Sequence, residues 1–219
     1  MSIGQTSAQM ALRDPDIRLM LRVRDDDPAA FSEMVGVFQH RLVGLMYNLV
    51  GNADEAEDLA QEVFLRVYRS RKKYSPKAKF STWLFTIANN LALNALRNRK
   101  RMPSVLLNVS DSGPLGPRPA EHLVQNRDAA PSSSLQQAEL AARIRMALDK
   151  LNERQKMAVI LNKFEDMGYA EIAEVMGLTS KAVKSLLSRA RDRLRVELQD
   201  YIYMDGENVP ATADSAMNE

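Results

Sequence analysis

The stretch from Asn52 to Tyr68, NADEAEDLAQEVFLRVY, decides how this chain must fold. Its apolar residues are Ala56, Leu59, Ala60, Val63, Phe64, Val67 and Tyr68. They recur at the i, i+3, i+4, i+7, i+8 spacing of one helical face. Asn52, with Glu55 three residues on, has the form of a capping box and sets the helix start. A helix with one apolar face needs apolar neighbours. Upstream, Phe31, Met34, Val35, Phe38, Leu42, Leu45 and Leu49 form a second stripe, running from a start at Asp27-Pro28 to a stop at Gly51. Downstream, Ser81 can cap a third helix reaching about Arg101, with Leu84, Ile87, Ala88, Leu91 and Ala95 as its buried stripe and Phe85 packed beside it. A shorter helix precedes Asp25.

Past Arg101 this periodicity stops. Five of the nine prolines lie between Met102 and Leu135, with Gly113, Gly116 and the run Ser132-Ser133-Ser134. Such a composition predicts a flexible linker. Helical spacing then returns over Leu135–Lys150, Glu153–Phe164, Tyr169–Met176 and Ser180–Tyr201. No strand-like alternation occurs anywhere. The expected fold is all-α, with two small helical domains at residues 14–101 and 135–203, a flexible linker at 102–134 and an acidic disordered tail at 204–219. The linker's length would let the two domains work more than one turn of DNA apart.

Composition removes several function classes. The 219 residues include no cysteine and two histidines, His40 and His122. That excludes a disulfide framework and a thiolate or histidine-cluster metal site, so neither metal nor cofactor is expected. Neither a glycine-rich phosphate loop nor an acid–base constellation suggests an enzyme. The N-terminus lacks a signal-peptide pattern and no apolar run reaches membrane-spanning length, which predicts a cytoplasmic protein without stable membrane insertion. Net charge is only +2, from 30 Lys+Arg against 28 Asp+Glu.

The distribution of that charge is uneven. Asp54, Glu55, Glu57, Asp58 and Glu62 lie within Asn52–Glu62 with no base. The next 36 residues, Arg66 to Arg101, hold eleven bases and no acid. Solvated faces and favourable helix termini explain Asp54 and Glu55; they do not explain a long acid-free segment, which predicts nucleic-acid binding. Tyr74, Phe80, Trp83 and Phe85 sit inside it, near Asn89, Asn90 and Asn94. Bases and aromatics together suit a single strand. Tyr74 and residues 77–81 are expected on a loop, free to meet a base, while Trp83 fits core and base contact equally.

The segment from Tyr169 has the spacing of a helix-turn-helix. Ala173 permits close helix approach, Gly177 supplies the turn and Val183 locks the second helix, which Thr179 or Ser180 can cap. Val183, Leu187, Ala190 and Leu194 face inward. Lys181, Lys184, Ser185, Ser188 and Arg189 are left for base edges, and Arg191, Arg193 and Arg195 for phosphate. A helical hairpin without DNA contact is the plainer alternative.

These pieces, in order, resemble a bacterial RNA polymerase sigma factor of the extracytoplasmic-function type. The resemblance rests on Asp27-Pro28-Ala29-Ala30-Phe31, on Asp54 to Phe64, on Phe80-Ser81-Thr82-Trp83-Leu84 and on Ile87-Ala88-Asn89-Asn90. In the C-terminal part it rests on Tyr169-Ala170-Glu171-Ile172-Ala173, Val183-Lys184-Ser185 and Ser188-Arg189-Ala190-Arg191. It implies a factor that directs core RNA polymerase to specific promoters and assists melting, with no chemistry of its own. Asp58, Gln61 and Glu62 would then meet the polymerase clamp helices. Lys79, Phe80, Ser81, Thr82, Trp83, Asn90 and Arg97 would meet the melted −10 element. Lys181, Lys184, Ser185, Ser188, Arg189 and Arg191 would meet the −35 duplex, and the same domain would meet the polymerase flap. An anti-sigma factor is a further implied partner, with a monomer as the free state. Ala182 and Leu186 depart from the Thr and Arg common in the family, which bears on the −35 preference. The rival readings are a helix-turn-helix regulator acting without polymerase, and a decoy that binds an anti-sigma factor but no DNA.

Overall fold

A computed structural model describes residues 14–101 and 131–199. The expected tail at 204–219 and most of the expected linker lie outside these residues. Eight α-helices and one short 3-10 turn make up the described part, with no strand among the described residues. They are α1 (Pro15–Arg24), α2 (Ala30–Val50), α3 (Ala53–Ser70), the turn Arg71–Lys73, α4 (Phe80–Arg101), α5 (Pro131–Asp149), α6 (Glu153–Lys163), α7 (Tyr169–Met176) and α8 (Ser180–Glu197). The all-helical expectation holds. None of these helices is long and apolar enough to cross a membrane.

Local chemistry accounts for the boundaries. Asp14 caps α1 by accepting hydrogen bonds from the amides of Asp16 (2.9 Å) and Ile17 (3.3 Å), with Pro15 at the first helical position. Before α2 the sequence expectation needs correcting. Asp27, Pro28 and Ala29 form a turn, in which Asp27 Oδ1 accepts from the Ala29 amide at 3.0 Å, and the helix proper begins at Ala30. Gly51 ends α2 in the left-handed conformation, φ 76°. Asn52 caps α3 through the Glu55 amide at 2.8 Å, while the Glu55 carboxylate lies 4.0 Å from Arg99. Helix α4 begins at Phe80, so Ser81 lies inside it instead of capping it. Helix α5 begins at Pro131, four residues ahead of the expected Leu135. Asn152 and Gln155 form a reciprocal capping box on α6 (2.9 and 3.1 Å).

The N-terminal bundle packs α1, α3 and α4 around α2. Met34, Phe38, Leu42 and Met46 of α2 are fully buried, as are Ala56, Val63 and Val67 of α3 and Phe80, Leu84 and Ala88 of α4. In the C-terminal unit, Met157, Ile160 and Leu161 of α6 meet Ile172 and Val175 of α7, with Val183, Leu187 and Ala190 of α8 closing the core. The two units are in contact, because α7 lies along α4 and α6 touches α2. Their apolar residues join one continuous core.

Candidate nucleic-acid and protein interfaces

Helix α3 divides its outer surface by charge. Asp54, Glu57, Asp58 and Gln61 are exposed near its start. Glu62 is partly exposed and accepts from Arg66 Nε at 2.9 Å, one turn on, where the acidic face gives way to the basic one. Of the residues expected to meet protein, Asp58 and Gln61 are therefore open and Glu62 is shared with Arg66. Beside this face, Leu65 and Tyr68 remain 47% and 43% exposed, unusual for large apolar side chains. With Val23, Pro28 and Phe31 they line a shallow groove of about 300 Å³, edged by Asp26 and Asp27. Asp26 is held in the left-handed region (φ 64°) by Arg71 Nε at 3.1 Å and by a short contact from Lys72. Those two cations keep its carboxyl below the usual carboxylate range, Lys72 having the larger effect.

The basic end of α3 faces the middle of α4. Arg66, Arg69, Ser70, Lys73, Ile87 and Asn90 line an open cleft of about 370 Å³. Asn90 is exposed, so its amide is available at the cleft. Beside Asn90 stand Arg66, Arg69 and Lys73, bases of the segment expected to bind nucleic acid that were not singled out as −10 contacts. Their spacing, i, i+3, i+7, puts them on one helical face and could have found them. Arg97 is exposed farther along α4.

Several aromatic expectations need correction. Tyr74 is 6% exposed, not free on a loop, and burial pushes its hydroxyl well above the usual tyrosine range. Phe80 and Thr82, both expected at the DNA surface, are 0% and 1% exposed. The reason is local. Once α4 starts at Phe80, that residue falls on the same face as Leu84 and Ala88, and its ring meets Phe38 edge-on at 5.2 Å. Thr82 is buried although it lies off that stripe. Trp83 is half-buried, tilted against Tyr74 at 4.9 Å and Phe80 at 5.9 Å. Ser81 is partly accessible. Lys79 is exposed, but its ammonium lies 2.8 Å from Glu171 of α7.

The second basic surface lies on α8. Thr179 caps the helix by accepting from the Ala182 amide at 3.2 Å. Gly177, at φ 62°, makes the turn, with the Leu178 amide donating to Ala173 O at 2.8 Å and the Gly177 amide to Glu174 O at 3.3 Å. This Schellman pattern fixes the angle between α7 and α8. Ala173, Val183, Leu187 and Ala190 are buried, as the spacing predicted. Lys181, Lys184, Ser185, Ser188, Arg189 and Arg191 are all exposed on the outer face. Leu186 sits at the core margin, in a groove with Leu151 and residues 152–154. Its apolar side chain therefore serves packing.

Comparison with known proteins agrees with this layout. A model of sigma-70 region 2 matches residues 34–102, and one of sigma-70 region 4 matches residues 141–194. The extracytoplasmic-function RNA polymerase sigma factor SigW of Bacillus subtilis is 30% identical over 179 residues, covering 82% of this chain and 94% of that protein. The RNA polymerase sigma-H factor of Pseudomonas aeruginosa is 31% identical over 190 residues, covering 87% and 97%. Two solved structures share the fold. CnrH in complex with the cytosolic domain of CnrY matches with TM-score 0.56 at 20% identity, over 83% of this chain and 96% of that one. The sigma factor RpoE in complex with the anti-sigma factor NepR from Bartonella quintana matches with TM-score 0.58 at 24% identity, over 77% and 96%.

Proposed function

The chain belongs to the sigma-70 family of RNA polymerase sigma factors, in its extracytoplasmic-function branch, and from that premise we propose which of its surfaces meets which partner. A member of this family directs RNA polymerase to specific promoters and takes part in transcription initiation. The factor contributes binding energy only and acts in the cytoplasm, where the polymerase works.

The acidic face of α3, with Asp58, Gln61 and Glu62, receives the polymerase clamp helices, and the neighbouring Leu65–Tyr68 groove gives that contact its apolar centre. The cleft of Arg66, Arg69, Lys73 and Asn90, extended by Ser81, Trp83 and Arg97, holds the melted −10 strand. Its cations follow the phosphates, and the Asn90 amide can hydrogen-bond an unstacked base edge. Phe80 and Thr82 act from beneath, by fixing the start of α4 and the angle of Trp83. Helix α8 enters the −35 major groove with Lys184, Ser185, Ser188 and Arg189 at base edges and Lys181 and Arg191 at phosphates. An anti-sigma factor is a further partner, supported by the structural relative RpoE, which is bound to the anti-sigma factor NepR.

One observation carries the reading: a single helix changes from acidic to basic within one turn, at the Glu62–Arg66 pair, so two partners of opposite charge can meet side by side. Run-off transcription with core polymerase tests it. Asn90→Ala with Arg97→Ala should lower promoter-dependent transcript while leaving assembly with the polymerase intact. If transcript is unchanged, the strand site lies elsewhere.

A further inference from the structure

The eleven bases from Arg66 to Arg101 have no acid among them in sequence, but acids from elsewhere reach several of them in space. Arg66 pairs with Glu62 and Lys79 with Glu171, one carboxylate to one cation. Asp26 differs, because it takes two. Its Oδ1 accepts from Arg71 Nε at 3.1 Å, and its Oδ2 makes the short contact with Lys72. Both cations belong to the 3-10 turn that follows α3.

Each cation is held by more than the carboxylate. Arg71 Nη1 donates to Tyr68 O at 2.9 Å, and its guanidinium lies over the Tyr68 ring at 3.8 Å. Its side chain is left 20% exposed. Lys72 Nζ also donates to Arg24 O, at the end of α1, at 2.7 Å. Both side chains are thus drawn back toward α1. Lys73, the next residue of the same turn, lines the strand cleft with Arg69 and Asn90, and neither Arg71 nor Lys72 lines it. Among the described residues, no carboxylate pairs with Arg69 or Lys73. One turn therefore sends a free cation to the cleft and two neutralised ones away from it.

The backbone points to a role for the carboxylate. Asp26 sits at φ 64°, a region that glycine enters more easily than any other residue. The turn itself is closed by main-chain bonds, from the Asp26 amide to Val23 O at 3.2 Å and from the Asp27 amide to Arg22 O at 3.0 Å. Glycine would satisfy that geometry, and what it would lack is the carboxylate. Phosphate contacts carry no sequence information. Each further cation on a strand raises the affinity for right and wrong sequences alike and steepens its loss with salt.

We propose that Asp26 is a positioning residue for −10 capture. It withholds Arg71 and Lys72 from the strand, leaves Lys73 as the turn's one phosphate contact, and so protects discrimination between sequences. The inference rests on the strand cleft placed between α3 and α4.

The test uses holoenzyme, formed with saturating core polymerase because Asp26 also edges the Leu65–Tyr68 groove. Fluorescence anisotropy reads its affinity for a single-stranded −10 oligonucleotide and for a scrambled one, between about 50 and 200 mM salt. Core polymerase is common to every sample, so differences report the factor. Asp26→Asn and Asp26→Gly both tolerate the left-handed backbone and remove the charge. In each, the affinity lost across that salt range should exceed the wild-type loss by about 3-fold if one cation is released and about 7-fold if both are, at a slope of about 0.7 per phosphate. The preference for −10 over scrambled sequence should fall. Adding Arg71→Ala and Lys72→Ala to Asp26→Asn should return the salt dependence to that of wild type. If Asp26 only staples α1 to α3, its variants will lose thermal stability and bind both strands more weakly with the salt dependence unchanged, which overturns the proposal. A steeper dependence that survives the loss of Arg71 and Lys72, or that leaves discrimination intact, also overturns it. Arg69→Ala with Lys73→Ala examines the cleft separately. Wild-type strand affinity in that variant removes the cleft and the inference with it, whereas loss there beside an unmoved Asp26→Asn removes the inference alone.

Discussion

Gly177 offers a quantitative test of the helix-turn-helix. Its φ of 62° and ψ of 40° lie in the left-handed region, and a Cβ added there would meet no atom within 4 Å. Steric collision therefore contributes nothing, and the cost of Gly177→Ala is backbone strain alone, about 1–2 kcal/mol. Against this stands the smaller freedom of alanine in the unfolded chain, about 0.4–1 kcal/mol in favour of the variant. The net loss should be roughly 0–1.6 kcal/mol. Asn tolerates the left-handed region better than Ala, so Gly177→Asn should cost less and stability should run Gly, Asn, Ala. Urea denaturation measures this directly. Both variants should keep the native affinity for −35 duplex once corrected for unfolded protein, because the turn carries no DNA contact. A loss above about 3 kcal/mol, or alanine more stable than asparagine, would refute the strain argument.

Three further outcomes follow. Phe80→Ala should destabilise the fold by about 3–5 kcal/mol, the cost of emptying a buried aromatic site; a fully stable variant with lost strand binding would return Phe80 to the DNA surface. Arg189→Ala should cost about 1–3 kcal/mol at one −35 base and relax selectivity there, read by binding to duplexes varied one pair at a time, whereas a uniform loss across sequences would make it a phosphate contact. Burial raises the Glu165 carboxyl above its ordinary value of 4.5, an effect larger than the opposing pull of Arg41, with Asp166 adding to the rise. Ionisation of Glu165 is thus a cost to the folded chain that its pairing with Arg41 only partly offsets. A group with a raised value in the folded form binds protons more tightly there. Lowering pH from neutral toward 4.5 should therefore relieve that cost and add to stability, with Glu171 still ionised because Lys79 and the Gly168 amide hold its carboxyl down. Urea denaturation against pH checks this, and the Glu165 contribution should vanish in Glu165→Gln.

The helices were legible in the sequence because their apolar stripes are long and their caps are chemically distinct. Asn52, Gly51, Thr179 and Gly177 each do what their residue type predicts. The inward face of α8 was legible for the same reason, since four positions at 4-3-4 spacing leave one outer face for its cations. The start of α4 was not. Ser81 looked like a cap, which left Phe80 outside the helix; with the helix starting at Phe80, that residue extends the stripe of Leu84 and Ala88 into the core. Tyr74 could not be placed from sequence because its burial depends on rings brought together by α2 and α4. The Arg41–Glu165 pair joins residues that share no periodicity, and nothing short of the assembled fold links them. Net charge, read alone, was uninformative: +2 conceals an acidic and a basic face on one helix.

The most direct test of the central claim is the affinity of the protein for core RNA polymerase with Asp58 and Glu62 both changed to Lys. The account predicts a large loss of polymerase binding, with thermal stability near wild type because Asp58 is exposed and Glu62 partly so. Affinity for a single-stranded −10 oligonucleotide should be unchanged or higher, because the basic cleft is untouched. Undiminished polymerase affinity in this folded variant would contradict the assignment of the acidic face.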